Sequence, residues 1–170
     1  MKKLISMILS LVLLVSLAVP ALAAEPFYAA EMTDTYDTCQ GNRSCPMWYF
    51  SDLPGNTWYH DPVHYCMDRR MITGRTGPED ALFDPEGTVT RADLARTLYR
   101  SAVVFGADVS VWENTNILSY NDAFDISSWA MAAMQWACAV DVLTDTDGNI
   151  LPEGAVTCGE FVAAVAAIAG

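Results

Sequence analysis

Lysine is almost absent from this chain of 170 residues, and basic residues are scarce throughout. The two lysines are Lys2 and Lys3, and nine basic residues stand against 21 acidic ones, for a formal net charge of −12. Beyond these lysines, arginine alone carries fixed positive charge. Because affinity for phosphate depends on clustered positive charge, this composition disfavours non-specific binding to nucleic acid or to anionic membranes. An anionic partner would need a local group of arginines.

The chain also lacks the patterns of the common enzyme classes. It contains no Ser–His–Asp arrangement, phosphate-binding loop or dinucleotide-binding motif. Its length allows one or two small domains, which excludes a large multidomain enzyme. We therefore expect a non-catalytic protein without a cofactor.

The N-terminus has the three parts of a secretory signal. Met1-Lys2-Lys3 is followed by an apolar run over residues 4–19 and by the small residues around Ala21-Leu22-Ala23. The run is shorter than the roughly 20 residues of a membrane-spanning helix, so a signal peptide over residues 1–23 is favoured over an anchor. The sequence thus predicts a secreted protein.

The rest of the chain contains an internal repeat. Residues 85–93 return as residues 152–160, and both segments read Pro-Glu-Gly-x-Val-Thr with an acidic residue at the end. Upstream, Asp52 corresponds to Asp122 and Trp58 to Trp129. A unit of about fifty residues is therefore duplicated. We predict a leader over 24–49, a first repeat over 50–105, a linker over 106–118 and a second repeat over 119–170.

Each repeat is expected to form a helix, a loop and a second helix, which makes the fold mainly α. Apolar and small residues recur at helical spacing. In the first helices these are Pro62, Val63, Cys66, Met67 and Met71, and then Ala133, Met134, Ala137, Cys138 and Val142; in the second helices they are Leu94, Ala95, Leu98 and Ala102, and then Phe161, Val162, Val165 and Ala169. Thr90 with Asp93, and Thr157 with Glu160, form capping boxes that should begin the second helices.

Five short elements of the first repeat carry a family resemblance. They are Phe50-Ser51-Asp52, Trp58-Tyr59, Ile72-Thr73-Gly74, Phe83-Asp84-Pro85 and Thr90-Arg91-Ala92-Asp93. In this order and spacing they resemble the S-layer homology (SLH) domain of bacterial surface proteins. The resemblance implies repeated helix-loop-helix units in a pseudo-threefold bundle. That bundle is incomplete here, because only two repeats are visible. The third would come either from another chain or from a degenerate piece in the leader.

The same resemblance implies a function. SLH repeats attach a protein noncovalently to the wall of a Gram-positive-type bacterium by binding its anionic secondary cell-wall polysaccharide, often through a pyruvylated sugar. The second repeat is degenerate, since Cys158-Gly159 replaces Arg91-Ala92 and Asp145 stands in the place of Gly74. We expect it to bind ligand poorly.

Arg91 is the leading candidate for ligand binding, because a guanidinium can read a ketal-linked pyruvate with two donors. The alternative is an ion pair with Asp52 or Asp93 at the surface. The family pattern adds Gly74 and Asp93 to the site. On this interpretation Arg91→Ala weakens wall binding far more than Arg96→Ala.

Two further candidates each have a structural alternative. Trp58 could offer its ring as a platform for a sugar, but its counterpart Trp129 repeats the position, which favours a place in the core. Asp52 could accept hydrogen bonds from sugar hydroxyls, or it could serve in capping or turn formation.

Two segments contain residues that can bind metal, but neither matches a metal-binding motif. His60 and His64, with Asp61 and Cys66 nearby, could gather on a helix, but no zinc signature completes the set and a solvated face is favoured. Residues 145–149 suggest calcium, but the glycine comes too early for an EF-hand loop, which favours a turn. No metal is therefore expected.

The five cysteines are expected to form disulfides, since export favours oxidation and no Cys-x-x-Cys pair exists. An odd number leaves at least one thiol unpaired. The predicted bridges join Cys138 to Cys158 and Cys39 to Cys45, and Cys66 remains a buried thiol.

The C-terminal segment predicts assembly. Residues 161–170 contain no charged or polar side chain, although a helix at the edge of a monomer normally keeps a solvated face. We expect a homo-oligomer or a complex with another SLH protein that supplies the missing repeat. The alternative is that alanine side chains are simply tolerated at the surface.

Overall fold

The structure is a computed structural model that describes residues 32–74, 81–111 and 116–169. Within those ranges it contains four α-helices and no β-strand: α1 (His60–Asp68), α2 (Arg91–Val104), α3 (Met131–Ala139) and α4 (Cys158–Ala169). Short 3-10 helices cover Tyr36–Thr38, Pro46–Tyr49, Ile117–Ser119 and Ala123–Asp125. The prediction of a mainly α fold is confirmed. The predicted signal peptide lies outside the described residues.

The larger hydrophobic core lies between α2 and α3. The predicted inward faces of these two helices are buried: Leu94, Ala95, Leu98 and Ala102 on α2, and Ala133, Met134 and Ala137 on α3. Trp136 of α3 contacts the ring of Tyr99 edge-on, with the ring centroids 5.6 Å apart. Alanine at four of these seven positions lets the helix backbones approach closely, which explains why α2 and α3 form the main packed pair.

A second, smaller core surrounds α1. It includes Met67 from the helix and also Cys45 and Met47, which precede the first repeat as the sequence divides it. The 3-10 helices Tyr36–Thr38 and Pro46–Tyr49 pack on α1. Residues 32–49 are therefore not only a polar leader, because they supply part of the core on which α1 rests.

Both predicted capping boxes are present. The Thr90 hydroxyl accepts a hydrogen bond of 3.1 Å from the Asp93 amide, and the Asp93 carboxylate accepts from the Thr90 amide at 3.4 Å. At α4 the Glu160 amide donates to the Thr157 hydroxyl at 3.2 Å, and the Glu160 carboxylate accepts from the Thr157 amide at 2.9 Å. Each box satisfies backbone amides that the first turn of a helix leaves unpaired.

The predicted inner face of α4 is wrong. Phe161, Val162 and Val165 are exposed, and among the α4 side chains that the structure describes only Ala164 is buried. The first turn of α4 contacts the first turn of α2 through Glu160 and Arg91. The larger apolar side chains of α4 are exposed. None of the described helices is both long and apolar enough to cross a membrane.

Candidate functional site

Arg91 lies at the first position of α2, where the capping box places it, but its side chain points into the protein. It is 7% exposed. Its Nε donates to the Ile150 carbonyl at 2.7 Å, one terminal nitrogen donates to the Glu160 carboxylate at 2.7 Å, and the other donates to the Thr144 carbonyl. The backbone amide of Arg91 also donates to the Gly154 carbonyl at 2.9 Å. Arg91 therefore links α2 to the loop before α4 and to α4 itself.

This placement differs from the sequence-based interpretation of Arg91. The partner of its charge is Glu160, not Asp52 or Asp93. Its Nε and both terminal nitrogens are engaged inside the protein, so they do not form a pair of donors facing solvent. The capping box determines that α2 starts at Arg91. The position of the 144–154 loop determines which groups the Arg91 side chain contacts.

Asp52 and Asp122 each hold a loop by the same pair of contacts. The Asp52 carboxylate accepts from the amides of Phe83 and Asp84, at 2.9 and 2.6 Å. The Asp122 carboxylate accepts from the amides of Ile150 and Leu151, at 2.9 and 2.7 Å. Asp52 thus has the turn-forming role that the sequence offered as its alternative.

Gly74 is required by close packing and by its backbone. Its φ is +76°, in the left-handed region, and a Cβ atom there would overlap the ring of the buried Phe50. Gly74 therefore lets the chain pass against the smaller core at the end of the Ile72-Thr73-Gly74 element.

A groove of about 180 Å³ brings Gly74 together with Asp93 and with Arg96, which the sequence analysis did not select for the site. Arg96 donates to the Asp93 carboxylate at 3.1 Å, and its guanidinium stacks over the Trp129 ring at 4.3 Å. The groove is lined by Ile72, Thr73, Gly74, Phe83, Asp84, Pro85, Gly87, Val89, Asp93, Arg96 and Thr97. The signal for Arg96 was its place on the helix, since position i+3 from Asp93 puts both side chains on one face.

Trp58 is 90% exposed, so its expected place in the core is wrong. Its ring contacts Tyr59 edge-on at 5.5 Å and is not part of the groove lining. Trp129 is partly exposed beneath Arg96. The structure thus gives the two corresponding tryptophans different surroundings.

A second groove, of about 530 Å³, is strongly apolar. It is lined by Ile72, Val89, Leu94, Thr97, Val156, Thr157, Cys158, Phe161 and Val162. It runs between α2 and α4, and the exposed side chains of Phe161 and Val162 form part of its wall.

Neither predicted disulfide forms in the structure. All five cysteines are free thiols, and no pair lies at disulfide distance. Cys158 is exposed at the start of α4, whereas Cys138 is half-buried on α3. The expected thiol at Cys66 is present and half-buried, and burial raises its pKa.

The predicted solvated face for His60 and His64 is also wrong. His64 is fully buried, and His60 lies between the sulfurs of Cys39 and Cys45, 3.7 Å from each. The sequence suggested Cys66 as their neighbour, whereas the structure places Cys39 and Cys45 of the leader there. The available signal was the His-x3-His spacing, with fourteen residues between Cys45 and His60 as in many zinc sites.

Residues 145–149 form the expected turn. Thr146 and Asn149 pair their backbones, and the Gly148 amide donates to the Asp145 carboxylate at 2.9 Å. This carboxylate therefore closes the turn.

No family model, no curated protein and no solved structure matches this chain. The resemblance to SLH repeats therefore rests on the quoted residues alone.

Proposed function

We propose that the protein is a secreted, non-catalytic cell-surface protein that binds an anionic secondary cell-wall polysaccharide through SLH-type repeats. The observation that carries the proposal is the polar groove containing Gly74, Asp93 and Arg96 in the segment with the strongest SLH resemblance. The function and the SLH identity rest on this groove and on the motif order together.

Matched local contacts in the two halves support the repeat itself. Asp52 and Asp122 bind equivalent loop amides, and both capping boxes are formed. Arg70 and Asp141, which follow α1 and α3 at corresponding places, both adopt positive φ, at +61° and +56°. Independent sequences seldom adopt these left-handed positions at the same offset, which favours a duplicated unit.

The groove offers the two kinds of contact that an acidic sugar requires. Arg96 pairs with Asp93 in the structure and would share its positive charge with a ligand carboxylate, while the carboxylates of Asp84 and Asp93 would accept hydrogen bonds from hydroxyls. The volume is below the roughly 300 to 1,000 Å³ of pockets that enclose a drug-sized ligand. The groove would therefore take one terminal sugar. In this proposal Arg96 contacts the sugar. Arg91 stabilises the packing of α2 against α4 and the loop before it.

The experiment is sedimentation of the purified protein with cell walls, with and without removal of the secondary polymer. We expect binding only to walls that retain the polymer and a loss of at least tenfold in affinity for Arg96→Ala. Arg69→Ala is the matched control, because Arg69 also stacks on an aromatic ring and pairs with an aspartate, but lies outside the groove. Equal binding by the two variants, or binding to stripped walls, would contradict the proposal.

A second candidate function is assembly of identical chains, and the apolar groove favours it. Phe161 and Val162 are half-exposed or more and line this groove, and the helix that carries them has no charge after Glu160. In a chain of net charge −12 this is a surface on which two copies do not repel each other. A second copy can place the same apolar side of α4 in the groove, which makes a self-complementary interface.

A further inference from the structure

Four potential metal ligands converge beside α1. They are the thiols of Cys39 and Cys45 and the imidazoles of His60 and His64, and one ligand atom from each lies within 4.8 Å of all the others. Two come from the segment before the first repeat and two from successive turns of α1. The fold of residues 39–45 onto the helix is what brings them together.

The distances fit a tetrahedral ion. Nε2 of His60 lies 3.7 Å from both sulfurs. With metal–sulfur bonds of about 2.3 Å and metal–nitrogen bonds of about 2.0 Å, tetrahedral angles place a sulfur and a nitrogen ligand about 3.5 Å apart. The thiols and His60 thus already have the separation that one shared ion requires.

His64 supplies an independent indication. Its side chain is fully buried, yet neither ring nitrogen has a hydrogen-bond partner in the part of the chain that the structure describes. Leaving a polar group buried and unpaired costs free energy. A bound ion would give one of the two His64 ring nitrogens the partner that it lacks.

His60 is oriented for the same role. Its Nδ1 lies 2.9 Å from the Asp61 carboxylate, so the neutral ring donates its proton there and keeps the Nε2 lone pair toward the thiols. A carboxylate that holds the outer nitrogen of a ligating histidine is a common support in metal sites. A cavity of about 230 Å³ borders Cys45 and His60 and gives an ion a route from solvent.

We propose that Cys39, Cys45, His60 and His64 bind one Zn²⁺ ion in a closed structural site. Two sulfurs and two imidazole nitrogens in a tetrahedral set are the ligands typical of zinc, and four protein ligands leave no open position for catalysis. Binding displaces one proton from each thiol, and the two thiolates neutralise the ion. The site fastens residues 39–45 to α1 and stabilises the smaller core.

The first test measures zinc in the full chain after purification under reducing conditions. We expect one zinc per chain by elemental analysis and native mass spectrometry. Replacement by Co²⁺ should give the visible absorption of a tetrahedral ion with thiolate ligands. Chelation should lower the melting temperature, and added zinc should restore it. Protein without stoichiometric zinc that also fails to bind added zinc would overturn the proposal.

Variants locate the ion. Cys45→Ser and His64→Gln should each lose zinc binding, and Asp61→Asn should weaken it roughly 10- to 100-fold while the chain stays folded. Cys66→Ala is the matched control, since Cys66 lies on the same helix outside the cluster. Unchanged affinity in both Cys45→Ser and Asp61→Asn would overturn the proposal, as would a Cys39–Cys45 disulfide in place of metal in the purified protein.

Discussion

Arg91 and Glu160 join the first turns of two helices by a hydrogen-bonded ion pair of 2.7 Å. Glu160 uses one carboxylate oxygen for this pair and the other for the capping box at Thr157. The start of α4 is therefore held both by its own cap and by a buried cation from α2. This contact connects two residues that are 69 positions apart in the sequence.

Arg91→Ala should destabilise the fold. The substitution removes the donors to Ile150, Thr144 and Glu160 in a buried site. We expect the free energy of unfolding to fall by about 2 to 4 kcal/mol. Urea denaturation followed by circular dichroism measures this. Arg43 is exposed, so Arg43→Ala should change the same quantity by less than about 1 kcal/mol, and an equal loss for both would contradict the structural role of Arg91.

Glu160 should make the stability depend on pH. The amide and hydroxyl of Thr157, followed by Arg91, hold the pKa of Glu160 below its usual 4.5. Because the folded state prefers the ionised carboxylate, this stabilisation is present above the usual pKa and is lost as pH falls through the lowered one. The difference in stability between the original protein and Glu160→Gln should therefore shrink below pH 4.5. Denaturation across this range measures it, and a difference that grows on acidification would contradict the contact.

Gly74→Ala should be much more damaging than Gly106→Ala. Both glycines have positive φ, at +76° and +77°, but only Gly74 faces the Phe50 ring. Backbone strain alone costs about 1 to 2 kcal/mol, and overpacking against Phe50 adds about 1 to 3 kcal/mol at Gly74. Thermal unfolding of both variants separates the two effects. Equal losses would show that Phe50 does not pack against this turn.

Asp122→Ala should loosen the loop before α4. It leaves the amides of Ile150 and Leu151 without their acceptor, which we expect to cost about 2 to 3 kcal/mol. Asp122→Asn keeps one acceptor oxygen and should lose less. Asp125→Ala, at an exposed acidic residue nearby, is the control and should change the free energy of unfolding by under about 0.5 kcal/mol.

Val162→Glu should abolish self-association if the apolar groove joins two copies. Ala163→Glu adds the same charge on the next residue, which does not line the groove, and should leave association unchanged. Light scattering at micromolar concentration measures the mass of both variants and of the original protein. A strictly monomeric original protein would remove this second candidate function.

The sequence alone determined the starts of α2 and α4, the mainly helical fold and the two capping boxes, because these depend on neighbours in the chain. A threonine three residues before an acid caps a helix wherever it stands, and small apolar residues at helical spacing mark a buried face. The start of α2 at Arg91 and the buried faces of α2 and α3 were predictable for this reason.

The tertiary structure decided what those local elements contact. The Arg91 side chain is buried because a loop about 60 residues further along the chain supplies carbonyl acceptors for it. Arg96, and not Arg91, lines the groove. Cys39 and Cys45 met His60 and His64 only because the chain before the first repeat folds back onto α1. Periodicity and capping act within a few residues, whereas a ligand set is fixed by packing between distant segments.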